Sequence, residues 1–286
     1  MFKKIFQISL GAGFLLLASL AQAQVGNNTT GDLGTPCSAT GNMLGASGGC
    51  TVTPITYKIT IHEMGLCTTH PFQADRLGVT FDRTNCVTTY SDDSPAIIDI
   101  AALIGGTPQP LTGTSTPPVE GTYPHAYLIM GEEFTISASF TDSATVTHVT
   151  QATSGVGTVG GGDSVVETTE TLRNFSLTTD ANTDCRSGFL AATVSGGTID
   201  AYVTNNALTR SVLSNGATAD ECDNSGRLVG VMNLTAPVVV TSETVQVLFN
   251  FNLTNAGAQF FGTPNSNTVA ESGSGPFSGS FTIINN

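Results

Sequence analysis

The side chains best placed in the sequence for chemistry carry oxygen. Asp180, Asn182 and Asp184 precede Cys185, while Asp220, Glu221, Asp223 and Asn224 surround Cys222. A bond between the two cysteines would hold both groups in one neighbourhood, and a hard cation such as Ca²⁺ takes about six to eight oxygen ligands. Asp180, Asn182, Asp184, Asp220 and Asp223 therefore form a candidate calcium site, the one cofactor the sequence points to. The Asp-x-Asn-x-Asp opening matches half of a calcium-binding loop but lacks the glycine at its sixth position and the distal glutamate. A second reading stays open, in which Asp and Asn close turns at strand ends by accepting hydrogen bonds from the backbone two residues on.

Three other motifs have the letters of a site without its context. Gly155-Val156-Gly157-Thr158-Val159-Gly160 matches the dinucleotide fingerprint, but Gly161, Gly162 and Asp163 lead into β-branched residues where a helix should begin, so a loop or hairpin tip is expected. Gly45-Ala46-Ser47-Gly48-Gly49 matches a nucleophile elbow but sits between Cys37 and Cys50, not between a strand and a helix. His62-Glu63 begins like a metalloprotease helix, yet Leu66 stands where the second histidine is needed. On a strand His62 and Glu63 would face opposite ways, and His62, His70, His125 and His148 read as surface or half-buried residues. No catalytic residue is assigned, and the chain is expected not to be an enzyme.

The elements that must position these groups begin with an export signal. Lys3 and Lys4 precede an apolar run from Ile8 to Leu20, and Ala21-Gln22-Ala23 gives the small-x-small cleavage pattern, so residues 1 to 23 are expected to leave and the mature chain to start at Gln24. The first cysteine is Cys37, too distant from the cleavage point for lipid attachment. No later stretch reaches the roughly 18 apolar residues of a membrane-spanning helix. The expected location is the periplasm, the cell surface or the medium.

Without Lys3 and Lys4, seven of the 9 basic residues face 22 acidic ones, a net charge of −15. Phosphate backbones are bound mainly by Lys and Arg displacing counterions, so nucleic acid is excluded as a partner. Charged residues make up only 11% of the chain, and Thr, Ser, Asn and Gly carry the polar load. That balance suits strands and turns better than helices. Six cysteines in an oxidising compartment imply disulfides, and their spacing suggests sequential pairs: Cys37 with Cys50, Cys67 with Cys86, and Cys185 with Cys222.

Residues 24–54 read as a Gly/Asn/Thr-rich arm outside the core, and 55–286 as the β region, with a candidate division near 143–164. Tyr57, Ile59 and Ile61 alternate with Lys58, Thr60 and His62, the period of a half-buried strand. Val245, Val247, Phe249, Phe251 and Leu253 repeat the pattern, and Phe277, Phe281 and Ile283 mark a final strand. Gly131-Glu132 reads as a tight turn between two paired strands. Pro124 places the start of its strand at an edge or bulge. Many short strands separated by turns imply an antiparallel β-sandwich, one large or two smaller, with long loops and three disulfides. Irregular strand lengths and the absence of Trp argue against an outer-membrane barrel.

Tyr57-Lys58-Ile59-Thr60, Leu66-Cys67-Thr68, Cys86-Val87-Thr88-Thr89-Tyr90 and Glu120-Gly121-Thr122-Tyr123-Pro124-His125-Ala126-Tyr127 resemble segments of secreted all-β proteins of marine bacteria. The Gly-Thr-Tyr strand entry is also similar to that of immunoglobulin- or transthyretin-like domains of bacterial surface proteins. The resemblance implies a sandwich fold and carries over no functional residue. The resulting expectation is a non-enzymatic structural or adhesive surface protein, with a carbohydrate or small-ligand binding module, calcium-dependent or not, as the alternative. Other surface proteins, further copies of the chain or glycans are the expected partners.

Overall fold

The computed structural model describes residues 7–8, 34–72, 80–104, 109–172, 192–194, 196–209, 212–213, 222–223 and 225–285. Strand accounts for 56% and helix for 3%, so the chain is all-β with mainly antiparallel sheets. In chain order the principal strands are β1 (Gly49–Val52), β2 (Thr56–Cys67), β3 (Cys86–Ser91), β4 (Ile97–Asp99), β5 (Gly121–Met130), β6 (Glu133–Ser137), β7 (Ser139–Thr141), β8 (Thr147–Gln151) and β9 (Gly155–Thr158). They continue with β10 (Thr168–Thr171), β11 (Ala192–Val194), β12 (Gly197–Thr204), β13 (Arg227–Val240), β14 (Thr244–Asn252), β15 (Ala258–Gly262), β16 (Val269–Ser274) and β17 (Ser278–Asn285).

The spine is β2. Its period-two pattern places Tyr57, Ile59 and Ile61, each 1% exposed, on one face and leaves Lys58, Thr60 and His62 half-buried on the other. Along one flank of β2 run β3 and β4 in line, with Cys67 opposite Cys86 and Ile59 opposite Ile98. Along the other run β5 and β6 in line, with Ile61 opposite Met130 and Lys58 opposite Thr135. Gly131-Glu132 is thus not a hairpin turn. It interrupts one continuous line, and the Gly131 N–H still donates to the Thr60 carbonyl at 3.1 Å. Beyond this break the sheet divides into two arms: β13, β12 and β11 extend it from β5, and β10 extends it from β6.

Pro124 lies where two irregularities coincide. Pairing of β2 with β5 ends at His125, and the β13 register jumps between Asn233 and Val238, so Pro124 owes no ladder hydrogen bond.

Two smaller sheets lie over the face that carries Tyr57: β14 with β17, and β1 with β15 and β16. Their Phe249, Phe251 and Phe260 share one core with Tyr57, Ile59, Leu66 and Leu128. That core draws on both sides of residues 143–164, where β7, β8 and β9 form a three-stranded meander. Residues 34–53, expected to lie outside the core, enter it: Met43 and Leu44 are buried, and β1 pairs with β15. Thr, Gly and Ser around them hid two apolar anchors whose partners are more than 200 residues away.

Two of the expected disulfides are formed, Cys37–Cys50 and Cys67–Cys86. The third pairing lies outside the described residues, as Cys185 does. No helix among the described residues is long and apolar enough to cross a membrane. The two disulfides are compatible with an extracellular or secreted chain.

Candidate functional site

An apolar cleft of about 480 Å³ separates the divided sheet from the strands above it. Strand periodicity builds its floor: Leu128 and Met130 of β5, Leu228 and Met232 of β13, and Ile199 and Ala201 of β12 point the same way from adjacent strands. Its roof carries Phe249 of β14 and Phe281 of β17, with ring centroids 5.1 Å apart. Gly230 stands between Leu228 and Met232, and a Cβ added there would meet nothing within 4 Å. A side chain is therefore missing from the middle of the floor, at a strand-interior glycine of the kind that marks a close approach by another group. Pockets of roughly 300 to 1,000 Å³ with apolar walls and few polar groups are typical of small-ligand sites. The cleft is partly open to solvent, and its lining is mostly apolar side chains. Its walls therefore favour an apolar occupant.

The polar groups gather at the β10 end. Glu170 accepts a hydrogen bond from Ser154 Oγ at 2.9 Å on Oε1, and from the Ser274 N–H and Oγ at 2.6 and 2.8 Å on Oε2. β10 pairs with β6 while Ser274 closes β16, so this carboxylate joins the divided sheet to the strands above it. Exposed Glu271 lines the same end. Tyr57, fully buried beside it, donates its hydroxyl to the Gly275 carbonyl at 3.2 Å and packs edge-on against Phe134 and Phe277. Burial, and then the negative charge of Glu170, push the Tyr57 hydroxyl well above the usual tyrosine range.

The opposite face of the sheet carries a second core of Phe72, Phe81, Tyr127, Ile129, Tyr202 and Val229, beneath the segment closed by Cys67–Cys86. Phe72 stacks on Tyr202 at 3.8 Å. Within it lies a polar network. The Phe72 N–H donates to His70 Nδ1 at 3.2 Å, which leaves the proton on Nε2 to meet Asp200 Oδ2 at 3.1 Å. Asn233 Nδ2 donates to the same Asp200 oxygen at 2.7 Å, and its Oδ1 faces His125 Nδ1 at 2.9 Å. Burial, helped by nearby His70, lowers the His125 pKa below 6.5 against the opposing hydrogen bond to Asn233 and the charge of Asp200. With the Asp200 side chain fully buried and that of His70 only 4% exposed, the pair pins His70 to the sheet and is closed to a bulky substrate.

His70 and His148 are thus buried, contrary to the expectation of surface or half-buried histidines, because each has an aspartate partner. Asp142 meets His148 across the β7–β8 turn at 3.2 Å and accepts the Ala144 and Val146 N–H groups at 2.8 and 3.0 Å. Burial pulls the Asp142 carboxyl upward, but these hydrogen bonds prevail and hold it below 3.8. No spacing signal in the sequence joins His70 to Asp200, 130 residues away.

Of the motifs read from sequence, Gly155–Thr158 forms β9, a strand that the glycine content had argued against, because β8 offers it a full ladder. A three-residue 3₁₀ turn follows at Val159–Gly161 in place of a phosphate-binding helix. Ser47 occupies a turn in which the Gly48 N–H donates to the Gly45 carbonyl. Glu63 accepts from the Tyr127 hydroxyl at 2.6 Å and pairs with Arg83 at 2.9 Å, and no contact ties it to His62. Asp180, Asn182, Asp184 and Asp220 lie outside the described residues, and Asp223 is placed only as a strand position opposite Val212. No family model, curated protein or solved structure matches the chain.

Proposed function

We propose that the chain is a non-enzymatic extracellular structural or adhesive protein, a sandwich-like subunit of a surface, matrix or filament layer. The observation that carries this reading is the free flank of β14. One side of β14 pairs with β17 from Thr244 to Asn252. Among the described residues, its other side meets only Gln7 and Ile8, opposite Leu248 and Phe249, and these belong to the segment expected to be cleaved. Removing that segment exposes a strand edge, and unpaired edges accept strands from neighbouring molecules. The buried histidine and carboxylate pairs support the same reading, since they brace loops and turns. Electron microscopy of the purified mature protein and of intact cells is the test. Filaments or a lattice are expected; isolated particles under all conditions would overturn the proposal.

The second reading, a small-ligand binding module, is favoured by the apolar cleft. The acidic polar end of that cleft, with no base among its described lining residues, is the feature from which a ligand class can be derived.

A further inference from the structure

We propose that the cleft binds a single aliphatic chain ending in an ammonium group, with the chain over Gly230 and the ammonium at Glu170. This deepens the small-ligand reading and is independent of assembly through β14.

Three observations define the ligand. The first is the lining: Leu128, Met130, Leu228, Met232 and Phe249 present flexible or flat apolar surface, and unbranched methionines adapt to a chain of no fixed shape. The second is the floor at Gly230, where open space continues from the position of a missing side chain and any larger residue would intrude on the occupant. The volume, about 480 Å³, lies within the range of roughly 300 to 1,000 Å³ usual for small-ligand sites.

The third is charge. Glu170 and Glu271 both line one end. The three hydrogen bonds from Ser154 and Ser274 fix the Glu170 carboxylate in place, and its two oxygens offer about four acceptor positions, leaving room for another donor. An ammonium head supplies three donors and the complementary charge. A carboxylate head would meet two like charges on a chain whose formal net charge is −13. The same wall thus accepts an alkylammonium and rejects the fatty acid of equal length.

The test is calorimetric titration of the mature protein with dodecylammonium, dodecanol and dodecanoate, each below its micelle concentration. Dodecylammonium is expected to bind at one per chain, at least tenfold more tightly than dodecanoate. Glu170→Gln should remove most of that preference while dodecanol binding stays within about twofold. Gly230→Phe should abolish binding of all three while the circular dichroism spectrum is retained. If Gly230→Phe fails to fold, Gly230→Val, whose smaller side chain begins in the same open space, serves instead. Equal affinity for amine and acid, a preference unmoved by Glu170→Gln, or binding unaffected at Gly230 would each overturn the proposal. Titration with vesicles of an amine-headed lipid separates a membrane source from a free one, since a membrane source requires extraction of lipid into a soluble complex. Filaments without amine binding would defeat this inference alone, and amine binding without filaments would defeat the assembly proposal alone.

Discussion

Two buried hydroxyls show how a single atom decides the sign of a substitution. Tyr57 Oη has a carbonyl partner, whereas Thr204 Oγ1 is buried with no partner among the described residues. Tyr57→Phe should therefore lower stability by about 1 kcal/mol, and Thr204→Val should leave it unchanged or raise it by about the same amount. Urea denaturation of the two variants checks both signs. Titration acts at the same scale. His62 and His125 are both held below 6.5 in the folded chain, chiefly by burial. As pH falls through about 6.5 the unfolded chain takes up protons at these positions before the folded one does, so stability should decline between that value and their lower native values. Asp142 acts in a separate window: its contribution is complete above 3.8 and lost as pH falls through its depressed native value. Denaturant midpoints measured from pH 8 to pH 3 should show two declines, and Asp142→Asn should reduce the lower one, to which Asp82, held low by hydrogen bonds from Thr84, also contributes.

Among elements, the segment between Cys67 and Cys86 depends most on a covalent tie. It supplies Phe72, Phe81 and His70 to the second core, yet among its described residues it contains no regular strand, only an isolated bridge at Thr80. Its disulfide joins residues 19 apart, for which the chain-entropy model gives about 3 kcal/mol. Replacing both Cys67 and Cys86 with serine should cost about that much, read as a lower melting temperature, and should increase amide exchange around Phe72. The strands themselves were legible wherever one face is buried and the other is not. β2 alternates from Thr56 to His62 and β14 from Phe249 to Asn252, because half-burial writes a period of two into the sequence, and the period is lost from Met64 to Cys67, where every residue is buried. The break at Gly131-Glu132 was read as a hairpin because Gly followed by a polar residue between two apolar runs has the same letters in either geometry. Only the partner strand β2, pairing on both sides of the break, distinguishes them.

At the scale of the molecule, charge and edges oppose each other. The excess of acidic residues, a formal net charge of −13, makes copies repel, while the flank of β14 that loss of Gln7 and Ile8 would expose favours their pairing. Salt shortens the Debye length from about 30 Å at 0.01 M to about 8 Å at 0.15 M, so assembly should be more extensive at the higher ionic strength. Sedimentation velocity across that range checks it, and salt-independent or salt-weakened association would contradict it. Composition and periodicity pointed to an all-β chain, to the Cys37–Cys50 and Cys67–Cys86 pairs among the possible connectivities, and to most of the principal strands, because propensity, short loop closures and half-burial are local properties. The burial of Met43 and Leu44, the meeting of His70 with Asp200 and the cleft above Gly230 were decided by tertiary structure. Each depends on which distant strands become neighbours, and alternation specifies the face a side chain takes but not what covers that face.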